Sequence, residues 1–206
     1  MTDLDIFLTN IMPYAPGCPE PTAFKQIVLA AQEFCTRTRL WRECDTFNVT
    51  PSSCNFVCVP SGAVLFELES AHFNGSPLEP ISIGDLNKRH PRWRTFEAGI
   101  GQWITQTELD SVMIVPRCTG KVELSTFLKP ADDADQLPDF LSTHYRQCIA
   151  EGALANILML PGQPFTAPDR AQYYSLLFNS KVDKASTTTA VQGQQRAPSR
   201  VRAQFM

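Results

Sequence analysis

Between positions 21 and 42, eight mostly apolar residues recur at steps of three and four along the chain. Because an α-helix turns once about every 3.6 residues, this spacing places them on one helical face. The members of the stripe are Phe24, Ile27, Val28, Ala31, Phe34, Cys35, Thr38 and Trp41. The pattern predicts a long first helix, and the shorter apolar run over residues 4–11 indicates a small helix ahead of it.

Between residues 44 and 129 the apolar period changes to two, and turn-forming residues arrive every several positions. Alternation of this kind is typical of strands with one buried face. Strands are predicted over residues 46–50, 55–59, 66–73, 78–83, 102–106, 112–115 and 122–128. Asn74-Gly75 tolerates the positive φ angles of a tight hairpin turn. Residues 83–93 are predicted to be a short helix or a loop.

The helical period returns after a proline-bounded acidic loop at residues 130–138, which contains Asp132, Asp133 and Asp135. Pro138 suits a first helical turn, so a second helix is predicted from there to Met159. Its small residues should allow close helix approach, and they are Ala150, Gly152, Ala153 and Ala155. A third helix is predicted over residues 166–182.

The last residues of the chain have a different composition. Beyond Asp183 bulky apolar residues are almost absent, so this segment is expected to stay flexible until it meets a partner. The chain then finishes with a cationic and apolar tip formed by Arg196, Arg200, Arg202, Phe205 and Met206.

These patterns together predict an α+β protein. A helical bundle body of about three main helices would come from residues 1–43 and 130–185. A small antiparallel β subdomain, residues 44–129, would be inserted in it, and residues 186–206 would form an extended C-terminal arm.

The charge of the chain limits its partners. Eighteen Lys and Arg against 21 Asp and Glu give a net charge of -3, which argues against an overall electrostatic grip on nucleic acid or on an anionic membrane. No apolar run approaches the ~20 residues that a membrane span needs, and the first residues lack the basic flank of a signal peptide. We therefore expect synthesis in the cytosol, with the seven scattered cysteines as free thiols.

Enzyme signatures are absent, since the sequence contains no phosphate-binding glycine loop, no zinc ligand spacing and no nucleophile elbow. His144 with Asp139 could serve acid–base chemistry, although solvated or capping roles are the more common outcome at such positions. Cys54 and Cys58 are better explained as buried thiols than as metal ligands, and the aspartates near residue 133 as a solvated turn. We predict no catalytic residue, no metal site and no cofactor.

One internal segment is both basic and aromatic. It carries Lys88, Arg89, Arg92 and Arg94 around a tryptophan. These side chains could contact phosphate or an acidic neighbour, and a solvated loop explains them equally well.

Several segments, taken in order, resemble the head-to-tail adaptor proteins of tailed bacteriophages. They are Pro13-Tyr-Ala-Pro-Gly-Cys-Pro-Glu-Pro21, Ala30-Ala-Gln-Glu-Phe-Cys-Thr-Arg-Thr-Arg-Leu-Trp-Arg42, Leu128-Lys-Pro130, Leu137-Pro-Asp-Phe-Leu141, Pro161-Gly-Gln-Pro-Phe165 and Arg196-Ala-Pro-Ser-Arg-Val-Arg-Ala-Gln-Phe205. The resemblance covers nearly the whole chain and thins over residues 44–100. No single motif is diagnostic, and the specificity comes from their order and spacing.

The resemblance implies a structural virion protein at the neck, made in the cytoplasm of the bacterial host. Copies would form a ring, dodecameric in such proteins, below the portal protein, and the ring would receive the tail tube or nozzle. Genomic DNA would pass through the lumen without sequence-specific binding, and no membrane is involved. The C-terminal arm would dock on the portal through Arg196, Arg200, Val201, Arg202, Phe205 and Met206.

Three alternatives remain open at the level of sequence. The chain could be a head-completion (stopper) or tail-terminator protein, which would use similar surfaces with different neighbours. It could be a small soluble enzyme built around His144. It could also bind DNA directly through residues 88–94 and the arginine-rich tip, with an affinity that falls steeply as salt rises.

Overall fold

The computed structural model describes residues 1–190 of the chain, and within them it contains six helices. The helices are α1 Asp5–Ile11, α2 Glu20–Thr38, α3 Ile83–Arg89, α4 Asp139–His144, α5 Arg146–Leu158 and α6 Pro168–Ala190. The small helix and the long first helix predicted from the sequence are confirmed as α1 and α2.

Ten strands lie in the same part of the chain. They are β1 Thr2–Asp3, β2 Arg42–Val49, β3 Asn55–Val57, β4 Ala63–Phe73, β5 Ser76–Pro77, β6 Glu79–Pro80, β7 Trp103–Glu108, β8 Ser111–Val115, β9 Gly120–Pro130 and β10 Gln136–Leu137. They form three sheets, with strand orders β2-β9-β4-β5, β3-β8-β7-β6 and β1-β10.

The hairpin between β4 and β5 turns at the predicted dipeptide. Asn74 and Gly75 have φ angles of 49° and 82°, so both adopt the left-handed conformation that a tight hairpin requires. The Asn74 side chain also accepts a hydrogen bond from the backbone N–H of Lys121, at 2.8 Å. The turn is therefore joined to the neighbouring strand β9.

The helices pack closely around α5. Residues on all sides of α5 are buried, among them Cys148, Ile149, Ala153 and Leu158, because α1, α2 and α6 surround it. At Gly152 the helices approach so closely that an added Cβ would lie 2.8 Å from the Phe178 ring. The predicted role of the small residues in this helix is confirmed at that position.

The predicted helical bundle with a small inserted β subdomain is wrong, although the α+β class holds loosely. The buried residues of α2 extend around more than one face, from Ile27 and Phe34 to Val28 and Cys35. Because such a wide apolar surface cannot be covered by α5 and α6 alone, its remaining side packs on β9. Strand residues such as Leu65 and Leu128 thus belong to the same core as the helices.

Three predicted element boundaries also differ. The first helix ends at Thr38, since Arg39 takes a left-handed conformation with φ of 52°, and Trp41 and Arg42 leave the helix. The single second helix is two helices, which meet at Tyr145 with φ of −123°. Helix α6 continues to Ala190, into the first residues of the segment predicted to be the arm.

A satellite core lies beneath α3, apart from the main one. It consists of Cys54, Leu86, Trp93, Met113 and Val115. In this core, Leu86 of α3 and Trp93 pack against Met113 and Val115 of β8, which attaches α3 and the turn after it to the sheet β3-β8-β7-β6. Among the helices within residues 1–190, none has the length and apolar character needed to cross a bilayer.

All seven cysteines are free thiols, and Cys44 alone of them is exposed. Burial raises the pKa of the Cys35 and Cys148 thiols to about 12 and that of Cys58 to about 11. Since the thiolate is the reactive form, these buried groups are both shielded and protonated at pH 8.

We expect a thiol reagent such as DTNB to titrate one cysteine rapidly in the native protein at pH 8 and the other six only after unfolding. Absorbance of the released thiolate product follows the rapid phase in the native protein and the slow phase after unfolding. A Cys44→Ser variant should lose the rapid phase and keep the slow one. Rapid reaction of several thiols in the native chain would contradict the buried positions.

Candidate functional site

The four predicted basic residues lie close together in the structure. Lys88 and Arg89 occupy the last turn of α3, and Arg92 and Arg94 follow in the turn after it. Ser82 caps the start of this helix, since its hydroxyl accepts a hydrogen bond from the backbone N–H of Asp85 at 3.1 Å. The short polar stretch of sequence thus forms a capped helix rather than a loop.

Trp93 holds this segment to the protein. Its side chain is 2% exposed within the satellite core, and its Nε1 donates a hydrogen bond to Asn87 Oδ1 at 2.8 Å. The Arg94 guanidinium lies over the Trp93 ring, 4.3 Å from the centroid, which is a favourable cation–π distance. Burial of one aromatic ring therefore fixes the surrounding cations on the surface.

We call residues 88–100 the basic protrusion. Lys88, Arg89, Arg92 and Arg94 are exposed, and none of them forms an ion pair within the part of the chain that the structure describes. The protrusion also exposes the apolar side chains of Phe96 and Ile100, the latter at 65%. Glu97 is its one acidic residue. The structure thus brings the four predicted residues together and adds an apolar component to them.

A second surface was missed by the sequence reasoning. A groove of about 660 Å³ lies where the end of the edge strand β3 meets the β7–β8 turn and the end of β9, and we call it the edge groove. Its lining is Gln32, Val57, Val59, Pro60, Ser61, Gly62, Ala63, Val64, Leu109, Asp110, Lys129, Pro130, Ala131, Asp132 and Asp133. Val57 and Leu109 are exposed in it at 61% and 73%, so it has an apolar face with an acidic rim.

The sequence does carry one signal for this groove. In the predicted strand at residues 55–59, Phe56 and Cys58 alternate with Val57 and Val59, so both faces are apolar. A strand at the edge of a sheet with two apolar faces usually needs cover from another element or another molecule. Because alternation was taken to indicate a strand with one buried face, the need to cover the second apolar face was not predicted.

The rim of the edge groove carries uncompensated negative charge. Asp132 and Asp133 are exposed and form no ion pair within residues 1–190, although Asp132 accepts a hydrogen bond from Gln32 Nε2 at 2.7 Å. Asp110 is half-buried, and its Oδ1 atom accepts no hydrogen bond from any described group. Lys129 is the one cation in the lining.

Other predicted residues are not brought into a site. His144 is exposed at the end of α4, with its ring 6.4 Å from that of Tyr145. Asp139 accepts hydrogen bonds from Thr2 and from the terminal amino group, which lower its pKa. No group of three or more metal-ligating side chains occurs among the residues described. The predicted portal contacts Arg196, Arg200, Val201, Arg202, Phe205 and Met206 lie outside the described residues.

A match to a known protein family extends over nearly the whole chain. A family model described as SU10 adaptor protein matches residues 9–203. The match includes the end of α1, the other five described helices, all the longer strands, both surfaces described above and most of the residues predicted to form the C-terminal arm. No curated protein matches the chain significantly.

Proposed function

This chain belongs to the SU10 adaptor protein family, and we propose that it is the head-to-tail adaptor of a tailed bacteriophage. The family is one of structural phage adaptors, as the resemblance of the sequence motifs implies. In the proposed role, copies of the chain form a ring at the neck of the virion. The ring joins the portal to the tail tube or nozzle.

The observation that carries the proposal is the extent of the family match. It spans residues 9–203, a range that includes Arg196, Arg200 and Arg202 of the arm. The inclusion of these arginines supports a role for the arm in adaptor assembly.

In this proposal the ring is closed by heterologous contacts between neighbouring copies, twelve of them by analogy with the proteins that the sequence resembles. Each arm adds a tethered contact to the portal, so that many weak contacts together make a stable joint. Residues 196, 200, 201, 202, 205 and 206 supply the portal contacts, and the sheets face the tail components. DNA passes through the lumen with no base-specific contact.

Two alternatives have different support. A stopper or tail-terminator role would place the same surfaces against other neighbours, and the family match favours an adaptor instead. An enzyme built on His144 is disfavoured by the exposure of that side chain, because a catalytic histidine normally lies in an enclosing pocket.

Deletion of residues 194–206 tests the role of the arm. We expect the truncated chain to fold, because the described core ends before this segment, and we expect complemented phage to package DNA without gaining tails. Electron microscopy of the particles and plaque counts measure this outcome.

Two full-length triple variants distinguish the contribution of the arginines from that of the length of the arm. The triple change Arg196→Ala, Arg200→Ala and Arg202→Ala should block tail joining. The matched triple change Gln192→Ala, Gln194→Ala and Gln195→Ala, in the same segment, should not. Normal tailed particles from the arginine variant would overturn the portal-docking role.

A further inference from the structure

The basic protrusion and the edge groove lie toward opposite ends of one sheet. The protrusion follows β6 along the chain, but Glu97 forms a bridge with Arg117, just after β8, and Trp93 packs with Cys54, just before β3. The two surfaces are therefore separated along the strands rather than across them.

The two surfaces also lie at opposite ends of the β7–β8 hairpin. Leu109 and Asp110, at the closed end of the hairpin, line the groove. At the open end the protrusion is joined to the sheet, where the Arg117 N–H donates a hydrogen bond to the Phe96 carbonyl at 2.8 Å. The five residues of β8 lie between the two surfaces and span roughly 16 Å at about 3.3 Å per residue, so a single subunit cannot bring its own protrusion into its own groove.

The chemistry of the two surfaces is complementary. The protrusion presents four cations, which form no ion pair with any residue that the structure describes, beside exposed Phe96 and Ile100. The groove presents an acidic rim beside exposed Val57 and Leu109. Contact between them would pair opposite charges and remove four large apolar side chains from water, and both changes favour association.

We infer that the basic protrusion of one copy seats in the edge groove of the next copy of this chain. This inference rests on the proposed ring and names the contact that builds it. Because the two surfaces differ and lie at opposite ends of the β7–β8 hairpin, the contact is heterologous. Heterologous contacts of this kind propagate from copy to copy and close into a ring when the rotation between copies permits.

A second copy fits the protrusion better than DNA does. DNA phosphates would match the cations but would leave Phe96 and Ile100 in water and would face the carboxylate of Glu97. The edge groove of a second copy would match both the positive charge and the exposed apolar side chains of the protrusion. The observations therefore favour the copy as the occupant.

Charge reversal on each side tests the contact. One variant carries Arg89→Glu and Arg92→Glu, which makes the protrusion acidic. The other carries Asp132→Lys and Asp133→Lys, which makes the groove rim basic. A matched control carries Lys25→Glu and Arg170→Glu, two exposed cations on α2 and α6 outside both surfaces. Thermal unfolding checks that each full-length variant is folded.

Sedimentation velocity and particle imaging follow ring formation by the purified chain, alone and with portal rings of the same phage. We expect wild type and control to form rings, each reversal variant alone to lose them, and an equimolar mixture of the two variants to regain them. In the mixture every contact again pairs opposite charges, and an alternating ring closes with an even number of copies. Rising salt should weaken the wild-type rings, because exposed charges are screened.

The other outcomes overturn the inference in distinguishable ways. If both reversal variants form rings as well as wild type does, the protrusion–groove contact is wrong and the adaptor role stands. If the protrusion variant keeps its rings and loses DNA affinity, DNA is the occupant instead. Loss of rings by the control would show a nonspecific charge effect. If wild type forms no ring in either condition, the proposed ring fails together with this contact.

Discussion

Replacing Gly152 with valine is expected to lower the free energy of unfolding by about 3 kcal/mol. A Cβ at this position would lie 2.8 and 2.9 Å from two carbons of the Phe178 ring and 3.0 Å from the Ala30 Cβ. Carbon atoms in proteins prefer separations of about 3.5–4.0 Å, so α2 or α6 would have to move away from α5. Equilibrium unfolding in urea measures the change.

The matched control for this substitution is Gly84→Val in α3. Gly84 is also a helical glycine without a positive φ, and its added Cβ would meet only the Ser82 Oγ atom, at 3.7 Å. Both substitutions change the intrinsic helix propensity in the same way, so their difference reports the close packing. A loss of stability at Gly152 no larger than at Gly84 would contradict the three-helix contact. Because α6 leads directly to the arm, a displaced α6 should also reduce tail joining.

Replacing Trp93 with alanine is expected to cost about 3 to 5 kcal/mol, the range observed for removal of a large buried aromatic side chain. The change would leave a cavity in the satellite core and remove the hydrogen bond to Asn87 and the cation–π contact with Arg94. We expect hydrogen exchange to rise over residues 83–100 more than in α2 and α5, because this core is separate from the main one to which those helices belong.

Trp103→Ala is the matched control, since Trp103 packs on the same satellite core but is only half-buried. It donates a hydrogen bond to Glu79 at 3.2 Å, so each variant loses one indole N–H contact as well as the ring. We expect the smaller loss of stability at Trp103. An equal or larger loss there would show that Trp93 is not the main anchor of the basic protrusion.

Local patterns predicted much of the secondary structure. The three- and four-residue spacing found α2, the alternation found the long strands, and Asn74-Gly75 marked the β4–β5 turn. These signals are reliable because they depend on neighbours a few residues apart. The ends were less certain, as at Arg39, where one residue in a left-handed conformation ended the helix before Trp41.

The candidate surfaces were predicted only in part. The basic residues at 88–94 were recognisable from their local cluster, but the role of Trp93 as their anchor was not. The edge groove combines residues from β3, the β7–β8 turn and the end of β9, which are far apart in sequence. Periodicity shows that an apolar face needs cover and does not show which segment provides it.

The order of residues along this chain was enough to indicate its family, its free thiols, its charge balance and most of its helices and strands. The shared core of helices and sheet, and the placement of a cationic surface and an acidic groove at opposite ends of the β7–β8 hairpin, came from the folded structure. Both depend on contacts between segments separated by many residues, such as α2 on β9. Such contacts arise because each apolar face packs against whichever complementary face lies within reach after the chain has folded.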